Sequence, residues 1–275
     1  MASIKKNHVV NCINYANKNN MELFNALKIA KNAKQFSRTE SEILGEYVLG
    51  NVTEEELRVA RSLDRTMMSE LFKQGDDIRK FVGGDTVFIG RDDTNTLTGY
   101  ELDSKTMYAL YDKKFDNKYR LGLGLSFTHT NTDYNNDSSR KNFIVQGYVP
   151  LTYKISNALT AVTMARIGYE DGEYTRYGYD NKINKADTSG ITYGLLNELR
   201  YTTKVAGFDI TPFVGLNMIG WYQDSIKEDG RDMALSLASS HVFSLESALG
   251  LYLDKEINLS EKSKLTTSLG IGYYH

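Results

Sequence analysis

The residues that could carry chemistry are few and scattered. Four histidines occur, too few and too scattered for a metal site, and His8, His241 and His275 have no acidic or cysteine partner at metal-ligand spacing. His129 alternates with apolar residues near a strand end and reads as an interface or loop residue. The single cysteine, Cys12, excludes an intramolecular disulfide framework and a thiolate zinc cluster. Gly122-x-Gly124 opens like a phosphate loop, but no helix follows it. The chain contains no G-x-S-x-G, H-E-x-x-H or G-K-[ST] signature. Two lone charges remain, Arg166 and Glu198, set in weakly polar alternating segments on the inward face of neighbouring strands. They are expected to form a structural pair inside a water-filled tube, with a role in pore electrostatics as the alternative. On the lipid face an arginine would cost about 2–4 kcal/mol at the midplane. The residues therefore imply no catalytic site, no metal and no cofactor.

The elements that would hold such a pair are extended. The chain has 275 residues, 25% charged and 41% hydrophobic, which excludes a disordered, low-hydrophobicity chain. A net charge of -2, from 33 basic and 35 acidic residues, leaves no basic field for nucleic acid. Mean hydropathy is -0.43 and no apolar run approaches a spanning helix, a test that barrel strands escape. Nineteen tyrosines, 11 phenylalanines and 22 glycines against 2 prolines suit long, unbroken strands.

The hydrophobic period changes near residue 80. Before it, helices are expected at Glu22 to Lys34, after the possible capping box Thr39/Glu42, and after the box Thr53/Glu56. In the last of these, Leu57, Ala60, Leu63, Met67, Met68 and Leu71 recur at helical spacing until Gly75. The methionines read as helix core. The charges between them read as a solvated face that would also suit a wet lumen.

After Gly83-Gly84 the period is two. In LGLGLSFTHT, Leu121, Leu123, Leu125 and Phe127 oppose Gly122, Gly124, Ser126 and Thr128. The same alternation recurs around Phe143 to Leu151, Ile191 to Tyr201, Ile210 to Met218, Leu245 to Leu253 and Leu265 to Tyr273. The second face is rich in Gly, Ser and Thr, which suits a barrel interior, while the uniform aliphatic face suits lipid. Eight strands are expected between Gly99 and His275, with a ninth possible at Thr86 to Gly90. Short links (Asp112 to Lys118, Ile155 to Ala158, Thr203 to Gly207) alternate with long ones (Asn131 to Lys141, Glu170 to Thr188, Gln223 to Ser240). Such alternation is the habit of outer-membrane barrels. Tyr148, Tyr153, Tyr169, Tyr201, Trp221 and Tyr222 lie near strand ends and are expected to form the aromatic girdles.

From Ser104 to His275 the chain resembles the autotransporter β-domain of type V secretion. The resemblance rests on KTMYALYDKKFDNKYRLGLGLSFTHTNTD, NALTAVTMARIGYEDGEYT, YGLLNELRY followed by FDITPFVGLNMIGWYQD, SLESALGLYLDKEI and LTTSLGIGYYH, in that order. It implies an all-β antiparallel transmembrane barrel of outer-membrane type, preceded by a helical segment. The family barrel has about 12 strands, so an incomplete barrel is expected here. The chain stops inside a strand at Tyr274-His275, and Met1 to Cys12 carries no secretion signal. Both features fit a piece of a longer precursor. Residues 1–80 are expected to be a helical linker or the end of a passenger, and residues 81–275 the barrel domain. The resemblance further implies three partners: outer-membrane lipid, the barrel-assembly machinery, and a passenger domain in cis. It also implies a location in the outer membrane of a Gram-negative bacterium, no enzymatic activity and no nucleic-acid partner. A porin-like or adhesion barrel without an export role is the rival reading. An outer-membrane enzyme would need a His/Asp/Ser or paired-carboxylate cluster at the rim, and the sequence supplies neither.

Overall fold

The computed structural model describes residues 52–72, 77–93, 98–177, 183–229, 234, 236–260 and 263–274. The helices expected at 22–34 and after Thr39 lie outside these residues, as do His8, Cys12 and His275. Within them, the helical period becomes one helix, α1 (Val52–Phe72). The alternating period becomes an antiparallel meander. Its strands are β1 (Ile78–Arg91), β2 (Tyr100–Lys114), β3 (Tyr119–Tyr134), β4 (Ser139–Lys154), β5 (Leu159–Tyr177), β6 (Ile183–Tyr201), β7 (Thr203–Val205), β8 (Phe208–Gln223), β9 (Ile226–Lys227), β10 (Ser236–Leu237), β11 (Ser240–Ser260) and β12 (Ser263–Tyr274). The main sheet runs β1-β2-β3-β4-β5-β6-β8-β11-β12, with β7 paired to β8 and a small β9-β10 ribbon apart. The possible ninth strand is thus β1, longer than its sequence signal.

An antiparallel meander places its connections alternately at two ends. One, the turn end, holds links 115–118, 155–158 and 202–207, together with the C-terminus of α1. Asp116 builds the first of these links, because its Oδ1 accepts from the Lys118 and Tyr119 amides at 2.6 and 2.8 Å. Those donors hold its carboxyl below the ordinary range. Ala206 and Gly207, both at positive φ, close the tight β7-β8 hairpin. The other, the loop end, holds the link 135–138 and the strand ends Arg91, Tyr100, Tyr177, Ile183, Gln223 and Ser240.

Two expected long loops are mostly strand. β3 continues through Tyr134 and β4 begins at Ser139; β5 continues through Tyr177 and β6 begins at Ile183. The outward residues there are polar, which reads as loop. On the inward side Tyr134, Tyr174 and Ala186 stay buried in one cluster with Val59 of α1, and that packing carries the ladder onward.

The sidedness follows the alternation. Leu121, Leu123, Leu125 and Phe127 point away from α1 and are exposed, as are Phe143, Val149, Ile167, Val214, Leu245, Leu249 and Ile271. Gly122, Ser126 and Thr128 face inward and are buried. A continuous apolar outer surface of this kind has no place in water. On β3 it runs from Tyr119 to Phe127, which at about 3.4 Å per residue and a tilt of about 40° is roughly 21 Å of height, close to the apolar band of an outer-membrane barrel. Gly122 is required by crowding. A Cβ there would stand 2.5 Å from the Tyr111 carbonyl oxygen and 2.9 Å from Pro150 Cγ.

The girdle needs one correction. Tyr153, Tyr169, Tyr201 and Tyr222 face outward, and the Tyr153 ring stacks on that of Tyr119 at 4.7 Å. Tyr148 and Trp221 instead point inward and are fully buried. Position near a strand end does not reveal the face; the parity within the ladder does.

Candidate functional site: the lumen and its helix

α1 opens with an acidic first turn, Glu54 and Glu55 at the positive end of the helix dipole; Thr53 lies inside the helix rather than at its cap, and Glu56 is bonded to β4 instead. Its 21 residues give a length of about 30 Å at 1.5 Å per residue, the thickness of a bilayer core. The apolar stripe expected from the sequence is the face that docks. Leu63, Met67, Met68 and Leu71 bury against Tyr108, Leu110, Tyr148, Val162, Met164 and Leu196 of the inner wall. The inner face is therefore less uniformly small than the alternation implied, because bulky residues are placed where the helix needs packing.

The polar residues of α1 meet the wall strand by strand. Near the loop end, Glu54 pairs with Arg91 of β1. Glu55 accepts from Tyr134 Oη at 2.6 Å and Thr132 Oγ1 at 3.1 Å on β3. Glu56 accepts from Arg140 Nη1 at 2.7 Å and Asn142 Nδ2 at 2.8 Å on β4. Arg140 also lies 3.7 Å from Glu55 and 3.5 Å from Glu170 of β5, and all four charges are buried. Midway, Ser62 donates to Asp85 of β1 at 3.0 Å, and Arg61 pairs with Glu246 of β11 at 2.8 Å. At the C-terminus, Arg200 of β6 donates to the Met68 carbonyl at 2.9 Å and Arg79 of β1 to the Leu71 carbonyl at 3.3 Å. The orphan carbonyl of Leu71 thus receives a cation, and the Met68 carbonyl, which begins the last turn, receives another. Partners on β1, β3, β4, β5, β6 and β11 mean that the sheet curls around the helix. The helix charges expected to be a solvated face are largely internal.

Arg166 and Glu198 both lie on the inner face and are buried. They do not pair with each other. In the ladder Arg166 stands opposite Gly194 and Glu198 opposite Val162, four positions apart. Arg166 bonds Asp64 of α1 at 3.0 Å and donates to Thr192 at 3.1 Å. Glu198 accepts from Arg200 Nε at 2.8 Å. The inward placement was readable from the alternation. The partner was not, because Asp64 comes from an element 102 positions earlier. Arg140, Glu55 and Glu56 were missed for the same reason, although Arg140 and Asn142 alternate in phase with Ile144, Gln146 and Tyr148. In a double-mutant cycle, Asp64→Asn with Arg166→Met should couple by about 1 kcal/mol or more. Arg166→Met with Glu198→Gln should add within about 0.5 kcal/mol. Thermal or urea unfolding in detergent micelles measures both.

Among the described residues no group of three or more His, Cys, Asp or Glu side chains could hold a metal ion. The arrangement is an open, curled half-barrel sheet, with β1 and β12 at its edges, whose concave face holds a helix from the same chain. It fits holding and passing polypeptide.

Solved structures share this fold. The translocator domain of the autotransporter NalP from Neisseria meningitidis matches with a TM-score of 0.69 at 15% identity, over 82% of this chain and 78% of that one. The β-domain of the Bordetella autotransporter BrkA matches with a TM-score of 0.56 at 16% identity, over 72% of this chain and 80% of that one. No curated protein sequence matches the chain. The family model described as the autotransporter beta-domain matches residues 81–275, and with a lipid-ready outer face and a helix-filled concave face the chain belongs to that family, the translocator barrels of type V secretion.

Proposed function

We propose that the barrel lies in the outer membrane of a Gram-negative bacterium and exports a passenger domain carried on the N-terminal side of the same polypeptide. In this reading residues 81–275 are the barrel domain, and residues 1–80 are a helical linker with the end of the passenger. The barrel-assembly machinery inserts the strands. No small-molecule reaction takes place, and the energy comes from assembly and from folding of the exported segment. The supporting observation is the direction of α1. Its N-terminal turn is tied to Arg91, Tyr134 and Arg140 near the loop end, and its C-terminal carbonyls to Arg200 and Arg79 near the turn end. α1 therefore presents its N-terminal end at the loop end, the side opposite the turns of the meander, as export of a passenger carried ahead of it requires. The rival porin-like reading needs an open bore, and the helix occupies the concave face that would line it.

The test is surface display. With a small folded reporter fused ahead of Met1 and a secretion signal supplied, the reporter is expected outside intact cells. External protease should then remove it while the barrel stays protected. A reporter shielded from external protease in cells whose barrel is inserted overturns the reading.

A further inference from the structure

We propose that the outer rim of the turn end is a docking surface for anionic phospholipid headgroups. This rests on the membrane-spanning reading above. Lys113 points outward on β2 between Tyr111 and Phe115, and faces Ile78 and Leu121 across the ladder. Lys80 points outward on β1 and faces Tyr111. Lys154 is exposed at the end of β4, next to the stacked Tyr119 and Tyr153. Each ammonium thus sits where the apolar band stops. A long side chain there lays its stem on hydrocarbon and carries its charge to the headgroups.

None of these three lysines makes an ion pair among the described residues. Three carboxylates at this end are engaged elsewhere: Asp112 with Arg79 and Arg120, Asp116 with two backbone amides, and Asp209 with Lys204 at 3.6 Å. The outward lysines of the loop end differ. Lys105 is paired with Asp103 at 3.0 Å, Lys185 with Glu173 at 3.6 Å, and Lys141 faces that same Glu173 across the ladder. Uncompensated positive charge on the lipid side is therefore concentrated at one end of the barrel. A bilayer surface carrying phosphodiester anions matches it in sign and height. The geometry favours phosphatidylglycerol-like lipids in the leaflet at the turn end over the phosphorylated lipid at the loop end.

The test uses the folded chain reconstituted into vesicles of phosphatidylcholine, with either spin-labelled phosphatidylglycerol or spin-labelled phosphatidylcholine as the probe. Lipid selectivity is expected to favour phosphatidylglycerol at low salt and to fade as salt rises. The triple variant K80Q/K113Q/K154Q should lose selectivity, by about fivefold for each lysine that is fully engaged. K80R/K113R/K154R should keep it, and K105Q/K185Q should leave it unchanged. Absence of selectivity in the native chain overturns the proposal, as does selectivity that survives in the glutamine triple variant or at high salt. The salt series on the native chain decides the matter even where the triple variant does not fold. Failure of the native chain to insert overturns the membrane reading as well; insertion without selectivity overturns this proposal alone.

Discussion

Replacing Arg140 by methionine should destabilise the folded barrel by about 3–5 kcal/mol, the cost of leaving buried charge without its partner. The guanidinium stands among Glu55, Glu56 and Glu170, within 2.7 to 3.7 Å of each, and nothing else in the cluster is cationic among the described residues. Asn142, Thr132 and Tyr134 donate to the same glutamates, but as neutral dipoles they cannot balance three carboxylates. Lysine should restore only part of the loss, because a point charge cannot serve three carboxylates as a planar fork does. The informative variant is the combination of Arg140→Met with Glu56→Gln. Removing a carboxylate together with its cation should recover stability relative to Arg140→Met alone, a non-additivity of the kind expected for groups in one network. Urea unfolding in micelles, followed by the gel shift between folded and unfolded barrel, reads each step. An Arg140→Met barrel as stable as the native chain would mean that the helix is not held by this cluster.

The second large effect is on the opposite face. Leu123→Arg should cost about 2–4 kcal/mol in a bilayer, because Leu123 lies midway along the apolar run of β3. It is 65% exposed. A soluble protein would accept arginine at such a site within about 0.5 kcal/mol. His129→Arg, just beyond the apolar run on the same strand and face, should cost no more than about 1 kcal/mol. Folding of the three chains into vesicles of defined lipid, measured as the folded fraction at increasing urea, separates the cases. Equal stability of Leu123→Arg and His129→Arg would mean that this face does not meet hydrocarbon.

These two experiments probe opposite sides of one ladder, and the sequence speaks unevenly about them. The outer face was legible because lipid asks only that a residue be apolar, a demand met one residue at a time. Leu121, Leu123, Leu125 and Phe127 state it without reference to anything distant. The small inner residues were legible for a similar reason, since Gly122 and Gly124 answer to crowding by adjacent strands. The strand extensions past Asn131 and Glu170 were not legible. Their outward residues look like loop, and their inward tyrosines gain meaning only when α1 and Ile226 arrive beside them.

Read alone, the sequence established the class of the protein, the direction in which each strand presents its greasy side, the helix preceding the sheet, and the inward placement of Arg166 and Glu198. Tertiary structure alone decided what Arg166 touches, whereas Glu198 meets Arg200 two residues along its own strand. A buried charge needs an opposite charge a few ångströms away, and for Arg166 that partner arrives on a helix about a hundred residues upstream. Periodicity reports which way a side chain points. It carries no information about which distant element will be waiting there.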